Sequence, residues 1–413
     1  MIGLMDCNNF FVSCERLFRP DLTRKPVAVL SSNDGCIVAR SQEVKDIGIP
    51  MGAPLFQVRD TIQKHGIILF SSNFTLYRDI SGRVMHALRE EFDDTFVYSI
   101  DEAFFTIPEG MEVEDIVKIR SRIMQKTGIP VSFGVAPTKT MAKLANSEAK
   151  KGNGVIWRTV DECMEQYPSI SCGSVWGIGR QMVKRLETLE IRTVSDFLLM
   201  GLSFARNEFG VHGERLYLEL TGTNASFASD LLSPHASIMS TQSFGRKVRA
   251  RNVLESALGH HVAHIGEKLR KQDLLASRLT IMCAPSRYGS YALRKGASTV
   301  VLSEPTNDTG ILLSYTKTLL EEIYDQEVDY AKAGAIVGGL IPASFASGSL
   351  FGEVAKEKRR TIFDVVDRLN ERYGKETIRP GIIQGTDAWS ARSELRSRSF
   401  TTRWSEIPHV KAI

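Results

Sequence analysis

The stretch FVYSIDEAFFTI, residues 96–107, places two adjacent acidic residues, Asp101 and Glu102, between two apolar runs. β-branched and aromatic residues dominate both runs, which predicts two short, mostly buried strands. A third acidic residue, Asp6, follows the apolar residues 2–5 at the end of another predicted strand. Three carboxylates are therefore expected at strand ends in apolar surroundings, where burial is unfavourable unless a cation compensates the charge.

These three carboxylates predict a metal site. Hard oxygen ligands favour Mg²⁺ or Mn²⁺ over Zn²⁺, and two such ions together serve displacement at phosphorus. Neighbouring residues on a regular strand point to opposite faces, so Asp6 and Asp101 form the primary pair. Glu102 joins them only if the hairpin bends at this point. The alternative is that the acidic residues end their strands by chance.

The composition of the chain sets wide bounds on its class. Its 413 residues predict two to four domains. A net charge of +4 tolerates a polyanionic partner without requiring one. The apolar stretches are of strand length, and the first ten residues lack a basic leader, so we expect a cytoplasmic protein that does not enter a membrane. Six scattered cysteines predict neither a disulfide framework nor a thiolate zinc site.

Secondary-structure signals divide the chain into successive regions. Residues 1 to about 170 alternate strand and helix patterns, which predicts a mixed sheet with helices on one face. Residues 171–232 are predicted to be all-helical, and the polar residues 233–240 are predicted to form a linker. Residues 241–345 return to α/β alternation, and a small, polar and then basic tail follows. The predicted fold class is multidomain α/β and α+β.

Several other residues are candidates for nucleotide binding. Phe10 and Phe11 follow Asp6 closely, so their rings could wall the sugar of a nucleotide, although core packing is the alternative. Lys45 and Lys150 are candidates for phosphate contacts, although lysines on helices commonly lie on solvated surfaces.

The segment VWGIGR, residues 175–180, precedes an amphipathic pattern and predicts a helix-hairpin-helix motif. Gly177 and Gly179 permit a tight turn whose backbone N–H groups approach a DNA phosphate, with Arg180 beside them. Contacts of this kind hold the DNA backbone without reading its sequence.

The combination of these motifs resembles the Y-family translesion DNA polymerases, and more closely their UmuC-like branch. The resemblance covers nearly the whole chain. Its most specific stretches are KPVAVLSSNDGCIVAR (25–40), FSSNFTLYRDIS (70–81), YSIDEAF (98–104), GVAPTKTMAKLAN (134–146), VWGIGR (175–180) and SFTTRW (399–404).

The resemblance implies a right-hand polymerase and assigns roles to its parts. The implied divisions are a palm at 1–10 and 74–167, fingers at 11–73, a thumb with the helix-hairpin-helix at 168–232, a linker at 233–240, a little finger at 241–345, and a tail for clamp and partner binding at 346–413. By motif match, Asp6, Asp101 and Glu102 would hold two Mg²⁺ ions, for which Mn²⁺ could substitute, with help from the Cys7 carbonyl. Phe11 would be the steric gate against ribonucleotides. Lys45 and Lys150 would contact the incoming triphosphate.

The implied activity is error-prone translesion DNA synthesis in an SOS-type response to DNA damage, with primer-template DNA and dNTP as substrates. The implied partners are a cleaved UmuD-like dimer, a RecA filament and the sliding clamp. Leu350 and Phe351 match the hydrophobic anchors of a clamp motif in which Ser347 replaces the usual Gln. The alternative is a catalytically inactive subunit that binds DNA and clamp.

Overall fold

The chain contains two compact units, described here from a computed structural model. Unit 1 comprises Met1–Leu232 and Glu394–Ile413, and unit 2 comprises Ser233–Ser393. The structure describes residues 1–225, 236–285, 296–345, 353–374, 376–385 and 389–408. The finer division into palm, fingers, thumb and little finger remains a prediction.

Unit 1 is built on a five-stranded mixed sheet in the order β5-β6-β1-β7-β8. Only the β7–β8 pair is parallel among the pairs of this sheet. A smaller sheet in the same unit has the order β3-β2-β4. The strands are β1 (Ile2–Cys7), β2 (Val27–Leu30), β3 (Ile37–Arg40), β4 (Ile68–Ser71), β5 (Thr95–Val97), β6 (Glu102–Thr106), β7 (Val131–Ala136) and β8 (Val155–Trp157).

Capping residues satisfy free backbone N–H groups at the start of helices in unit 1. Asn73 accepts a hydrogen bond from the Leu76 N–H at the start of α4, and Thr138 accepts one from the Met141 N–H at the start of α6. The helices are α1 (Phe10–Phe18), α2 (Gln42–Asp46), α3 (Leu55–His65), α4 (Phe74–Arg89), α5 (Val113–Thr127), α6 (Lys139–Ala149), α7 (Val160–Gln166), α8 (Arg180–Thr188), α9 (Val194–Leu199) and α10 (Gly201–Leu220).

Both faces of the large sheet are covered, which corrects the expectation of helices on one face. Met5 and Phe105 belong to the core that includes residues of α4 and α5. Their neighbours Leu4 and Phe104 belong to a second core that includes residues of α6 to α10. Adjacent strand residues point to opposite faces, so strands that are apolar at consecutive positions need a layer on each side.

Unit 2 has an antiparallel four-stranded sheet in the order β11-β10-β12-β9, with two helices whose apolar residues share its core. The predicted linker at 233–240 is shorter than expected, because Ser237–Ser240 already pair with β12. A third helix, α13, lies within the region predicted as a tail. The elements are β9 (Ser237–Val248), α11 (Arg251–Lys271), β10 (Leu274–Pro285), β11 (Ala297–Thr306), α12 (Thr309–Ile323), β12 (Tyr330–Pro342) and α13 (Glu353–Tyr373).

Two absences can be stated for the described residues. All six cysteines lie within them and all are free thiols, five of them buried, which confirms that no disulfide joins them. Among the same residues, no helix has the length and apolar character needed to cross a bilayer.

Candidate active site

Asp6 and Glu102 face each other across two adjacent strands. The register of β1 and β6 makes them direct partners. Asp6 is only 5% exposed, because it lies on the central strand of the sheet. Asp6 near the end of β1 and Glu102 at the start of β6 thereby lie side by side at one end of these strands, which we call the acidic edge, although 96 positions separate them in sequence.

Asp101 lies in a bend that a single serine stabilises. The Ser99 hydroxyl accepts hydrogen bonds from the N–H groups of Asp101 and Glu102, at 3.3 and 3.0 Å, and donates to Oδ1 of Asp101 at 2.6 Å. The Cys7 N–H donates to the Asp101 carbonyl at 2.9 Å, which ties the bend to the end of β1. The chain therefore bends at the point where the sequence required a bend for Glu102 to join Asp6.

Lys143 of α6 and Lys150, which directly follows α6, pair with these carboxylates. Nζ of Lys150 lies 2.7 Å from Oδ2 of Asp6, and Nζ of Lys143 lies 3.0 Å from Oε2 of Glu102. Lys143 was not among the residues predicted from the sequence. It precedes Lys150 by seven positions, which is two helical turns, so Lys143 and the C-cap residue Lys150 lie on one side of α6. That spacing was the signal available in the sequence.

Lys143 is enclosed by aromatic rings as well as by Glu102. Its Nζ lies 4.9 Å from the ring centroid of Tyr98 and 5.1 Å from that of Trp176. The Trp176 indole N–H donates a hydrogen bond to the Tyr98 hydroxyl at 3.3 Å. Electrostatic attraction to the ring faces therefore adds to the ion pair in holding this ammonium group.

Burial dominates the electrostatics of the acidic edge. It raises the pKa of Asp6 from 3.8 to about 7, against the opposing effect of the Lys150 ammonium, and the neighbouring Glu102 raises it further. Burial also raises the pKa of the Cys7 thiol, with repulsion from Asp6 and Asp101 adding to the effect. Negative charge at this edge is thus unfavourable unless a cation is close.

The donor set fits a hard divalent cation. Asp6, Asp101 and Glu102 offer carboxylate oxygens, and the Cys7 carbonyl lies beside them at the end of β1. Within the described residues, no three acidic, His or Cys side chains already converge as a finished metal site. The ammonium groups of Lys143 and Lys150 compensate the negative charge of the carboxylates. These ammonium groups would have to move away for a metal ion to bind.

The two adjacent phenylalanines of α1 lie in different surroundings. Phe10 is 3% exposed and belongs to the core, which favours the core-packing alternative for its ring, while a contact with a nucleotide stays a prediction. Phe11 is half-buried and stacks on Tyr77 with ring centroids 4.4 Å apart and an angle of 14° between the planes. The edge of Phe74 packs nearby at 5.9 Å. Phe11 is the ring that remains available as a sugar gate.

Several basic side chains lie near the carboxylates. Burial lowers the pKa of Lys45 on α2, and repulsion from Arg40 and Lys150 lowers it further. The influence of Lys150 on Lys45 indicates that the two predicted phosphate-binding lysines share one electrostatic neighbourhood. Such a concentration of positive charge is suited to a triphosphate.

A cleft of about 230 Å³ opens beside the acidic edge. Its lining includes Glu102, Lys143 and Lys150 together with the segment Ser174-Val175-Trp176. The wall that carries Trp176 continues directly into the glycine-rich turn predicted to bind DNA.

The glycine-rich turn is open to solvent. Gly177 adopts a φ of +93°, which strongly favours glycine, and among the described residues, apart from the adjacent ones in the chain, no atom lies within 4 Å of a Cβ placed at Gly177 or Gly179. Gly179 precedes α8, and Arg180 is the first residue of that helix and is exposed. The first N–H groups of α8 therefore have room to approach an anion.

The candidate clamp anchors, Leu350 and Phe351, lie outside the described residues, as does Ser347.

Family models match most of the chain. The impB/mucB/samB family matches residues 5–147, the C-terminal domain of the same family matches 235–350, and a domain of unknown function, DUF4113, matches 360–410.

Several curated proteins are similar along their full length. Protein UmuC of Salmonella typhimurium is 33% identical, with 100% of both chains covered. Protein MucB of Escherichia coli is 32% identical over 99% of both chains, and DNA polymerase IV of Bacillus velezensis is 24% identical over 96% of both. Among solved structures, the Y-family DNA polymerase chimera Dbh-Dpo4(243-245)-Dbh gives a TM-score of 0.65 at 20% identity, over 83% of this chain and 99% of that one.

Proposed function

This chain belongs to the impB/mucB/samB family and is a UmuC-like Y-family DNA polymerase, and we propose that it carries out error-prone translesion synthesis in an SOS-type response. The reaction transfers dNMP from a dNTP to a primer: the 3′-hydroxyl oxygen attacks the α-phosphorus, the bond to the bridging oxygen breaks, and pyrophosphate leaves. The pairing of Asp6 with Glu102, beside the bend that holds Asp101, is the observation that supports this site most strongly.

Polymerases of this type depend on divalent metal ions, and we propose two Mg²⁺ held by Asp6, Asp101, Glu102 and the Cys7 carbonyl. When bound, such ions would lower the pKa of the attacking hydroxyl and neutralise the triphosphate and the leaving group. The carboxylates of this chain would hold these positive ions at the acidic edge of the large sheet. Because Asp6 is buried, its negative charge is favoured only when a cation, whether lysine or metal, lies close to it.

Lys150 changes partner in the proposed cycle. In the described state its ammonium is paired with Asp6. An incoming triphosphate offers several anionic oxygens, so we infer that Lys150 moves from the carboxylate to the phosphates. Lys45 approaches the same phosphates from α2, since it lies within the electrostatic range of Lys150. The two lysines orient the dNTP for attack by the primer.

Sugar selection is assigned to Phe11. Its ring is partly exposed on α1 and is backed by Tyr77. A ring at this position blocks the space that a 2′-hydroxyl needs, and a phenylalanine does so without a hydroxyl of its own. The exposed turn at Gly177 and Gly179, with Arg180, is assigned to the DNA backbone.

Primer extension tests the catalytic assignment. Asp6→Asn and Asp101→Asn keep side-chain size but remove charge, so we expect each to reduce kcat by about 100- to 1,000-fold, as the loss of one electrostatic contact to the transition state does. Asp93→Asn is the matched control, because Asp93 is exposed in the loop before β5. Mn²⁺ binding, followed by paramagnetic resonance, should weaken in Asp6→Asn and Asp101→Asn but not in Asp93→Asn.

Two outcomes would contradict the proposal. Extension that persists in Asp101→Asn would overturn the metal assignment. Extension absent from the wild-type chain even with a cleaved UmuD-like dimer and a RecA filament, under conditions where DNA still binds, would favour the inactive regulatory subunit.

Partner binding is proposed from the same family membership. A cleaved UmuD-like dimer, a RecA filament and the sliding clamp are the proposed partners, with Leu350 and Phe351 as clamp anchors. Replacement of both anchors by alanine should reduce clamp binding in surface plasmon resonance without affecting the binding of primer-template DNA. Equal clamp affinity in the wild-type and double-substituted chains would refute this assignment.

A further inference from the structure

The last described segment of the chain packs on the N-terminal part of unit 1. We call residues 394–408 the C-terminal strap. The Ser71 N–H at the end of β4 donates to the Leu395 carbonyl at 3.1 Å, and the Leu395 N–H donates to the Ser71 hydroxyl at 3.0 Å. Ser71 and Arg396 form a parallel bridge. The strap thus extends the edge of the small sheet, at strand β4.

The strap next encloses the residue that begins α4. Asn73 is fully buried, and its Nδ2 donates to the hydroxyl of Ser397 at 3.0 Å. The Arg396 guanidinium donates to Oδ1 of Asn73 at 3.1 Å, and the same oxygen accepts from the Leu76 N–H. The first turn of α4 is therefore held between its own cap and the strap.

A buried carboxylate links the strap to the helix of the sugar gate. Glu15 of α1 has no exposed surface, and its Oε1 accepts hydrogen bonds from the Tyr77 hydroxyl at 2.7 Å and the Ser397 hydroxyl at 3.1 Å. Within the described residues, its other oxygen accepts no hydrogen bond. Burial raises the pKa of Glu15, while the two donors lower it. A carboxylate with so few donors depends strongly on each of them.

One of these two donors, Tyr77, also contacts the ring of Phe11. Tyr77, which donates to Glu15, stacks on Phe11 at 4.4 Å. At the end of α1, Phe18 stacks on Phe400 of the strap with centroids 4.7 Å apart and planes 11° from parallel. The strap therefore contacts α1 at Glu15 and at Phe18. Neither contact involves the ring of Phe11 itself.

We propose that the C-terminal strap positions the sugar gate, with Ser397 and Phe400 as positioning residues that hold the ring of Phe11 through Glu15, Tyr77 and Phe18. This inference rests on the proposed role of Phe11. A steric gate excludes a 2′-hydroxyl only if its ring cannot recede, and a helix fixed on its far side resists that movement. The strap, within a domain of unknown function, thereby acquires a role in substrate selection.

Single-nucleotide incorporation by the full chain, with its partner proteins, tests the inference. The readout is the ratio of kcat/KM for a dNTP to that for the matching rNTP. Loss of one hydrogen bond to a buried charged group predicts that Ser397→Ala lowers this ratio about five- to ten-fold, mainly by lowering KM for the rNTP. Phe400→Leu should act in the same direction with the fold preserved. Ser397→Thr keeps the hydroxyl and should restore the ratio.

Thr402→Ala is the control, because Thr402 is an exposed residue of the same strap and should leave the ratio unchanged. A double-mutant cycle adds specificity. In a chain that already carries Phe11→Ala, Ser397→Ala should cause no further loss of selection, because both changes act on one ring. A full additional loss in the double variant would overturn the inference.

The outcomes separate this inference from the proposed function. A wild-type chain that selects dNTPs, together with unchanged ratios in Ser397→Ala and Phe400→Leu, would overturn the role of the strap and leave the polymerase assignment intact. A wild-type chain without incorporation would instead contradict the proposed function. In that case amide hydrogen exchange still decides the inference, since exchange in α1 must rise in Ser397→Ala and Phe400→Leu, and unchanged exchange would refute it.

Discussion

Replacement of Gly134 by alanine should move α6, which carries Lys143 and ends next to Lys150. Gly134 lies in the middle of β7, where α6 crosses the sheet. A Cβ at this position would lie 2.3 Å from the carbonyl oxygen of Ala142 and 2.3 Å from the backbone nitrogen of Asn146. Both neighbours are backbone atoms of α6, so a side-chain rotation cannot relieve the overlap.

The size of the effect follows from these distances. Non-bonded heavy atoms prefer separations of about 3.5 Å, so α6 must recede from β7 by about 1 Å. Overpacking of this kind costs about 1–3 kcal/mol. Movement of α6 also strains two hydrogen bonds of the buried Asn146 amide, to the carbonyls of Leu4 at 3.2 Å and Ser132 at 2.9 Å, each worth about 1 kcal/mol. We therefore expect Gly134→Ala to lower the free energy of unfolding of unit 1 by about 2–4 kcal/mol.

The same movement should reduce activity. Lys143 and Lys150 travel with α6, away from Glu102 and Asp6 on the sheet. A displacement of about 1 Å in catalytic groups lowers rates by about 100-fold, so kcat/KM for dNTP incorporation should fall by about that factor.

Urea unfolding monitored by hydrogen exchange in β7 and α6 measures the stability of this unit by itself, and primer extension measures the activity. Gly82→Ala is the matched control, since Gly82 is an exposed residue inside α4, and outside the backbone of this helix no atom of the described residues lies within 4 Å of a Cβ at this position. It should stabilise the protein by about 0.5–1 kcal/mol. If Gly134→Ala unfolds at the wild-type urea concentration and keeps kcat/KM within two-fold, the close approach of α6 to β7 is wrong.

Two further predictions concern charge. Lys150→Ala should raise KM for dNTP about ten-fold through the loss of a charged phosphate contact, whereas Lys151→Ala, at the exposed neighbouring position, should not; equal KM values would remove Lys150 from the triphosphate site. In unit 2, burial lowers the pKa of His261 from 6.5 to about 3. The unfolded chain therefore binds the proton more readily between those values, and stability falls as the pH drops below 6.5. The loss between pH 7.5 and pH 5 should be about 2 kcal/mol, and it should vanish in His261→Gln; a pH dependence unchanged by that substitution would contradict the assignment.

Local sequence patterns were sufficient for many individual elements. The runs at residues 2–5 and 131–136 predicted β1 and β7, because uninterrupted apolar and β-branched residues favour buried strands whatever their neighbours are. The helix predicted at 74–92 is confirmed as α4, since its apolar residues recur every four positions. The family resemblance read from these motifs is also confirmed by the full-length similarity to UmuC-type proteins.

Neighbouring residues of the same type can lie in different surroundings, and only the folded chain shows which surroundings each has. Phe10 and Phe11 are identical in type, yet Phe10 lies in the core and Phe11 lies at its margin, because α1 turns one ring toward the sheet. Likewise, the sequence analysis predicted a role for Lys150 but not for Lys143, because the role of a lysine depends on which carboxylate it faces. That pairing arises from the packing of α6 on β1, which no local pattern encodes.

The sequence by itself determined many of the strands and helices, the acidic residues of the candidate site and the family, because these depend on residues close together in the chain. Only the tertiary structure decided which charges are paired, why both faces of the sheet carry helices, and where the chain returns after unit 2. Ser397 and Glu15 are 382 positions apart, yet their side chains share a hydrogen bond. A contact across that separation is set by the packing of whole elements, and the alternation or spacing of nearby residues carries no record of it.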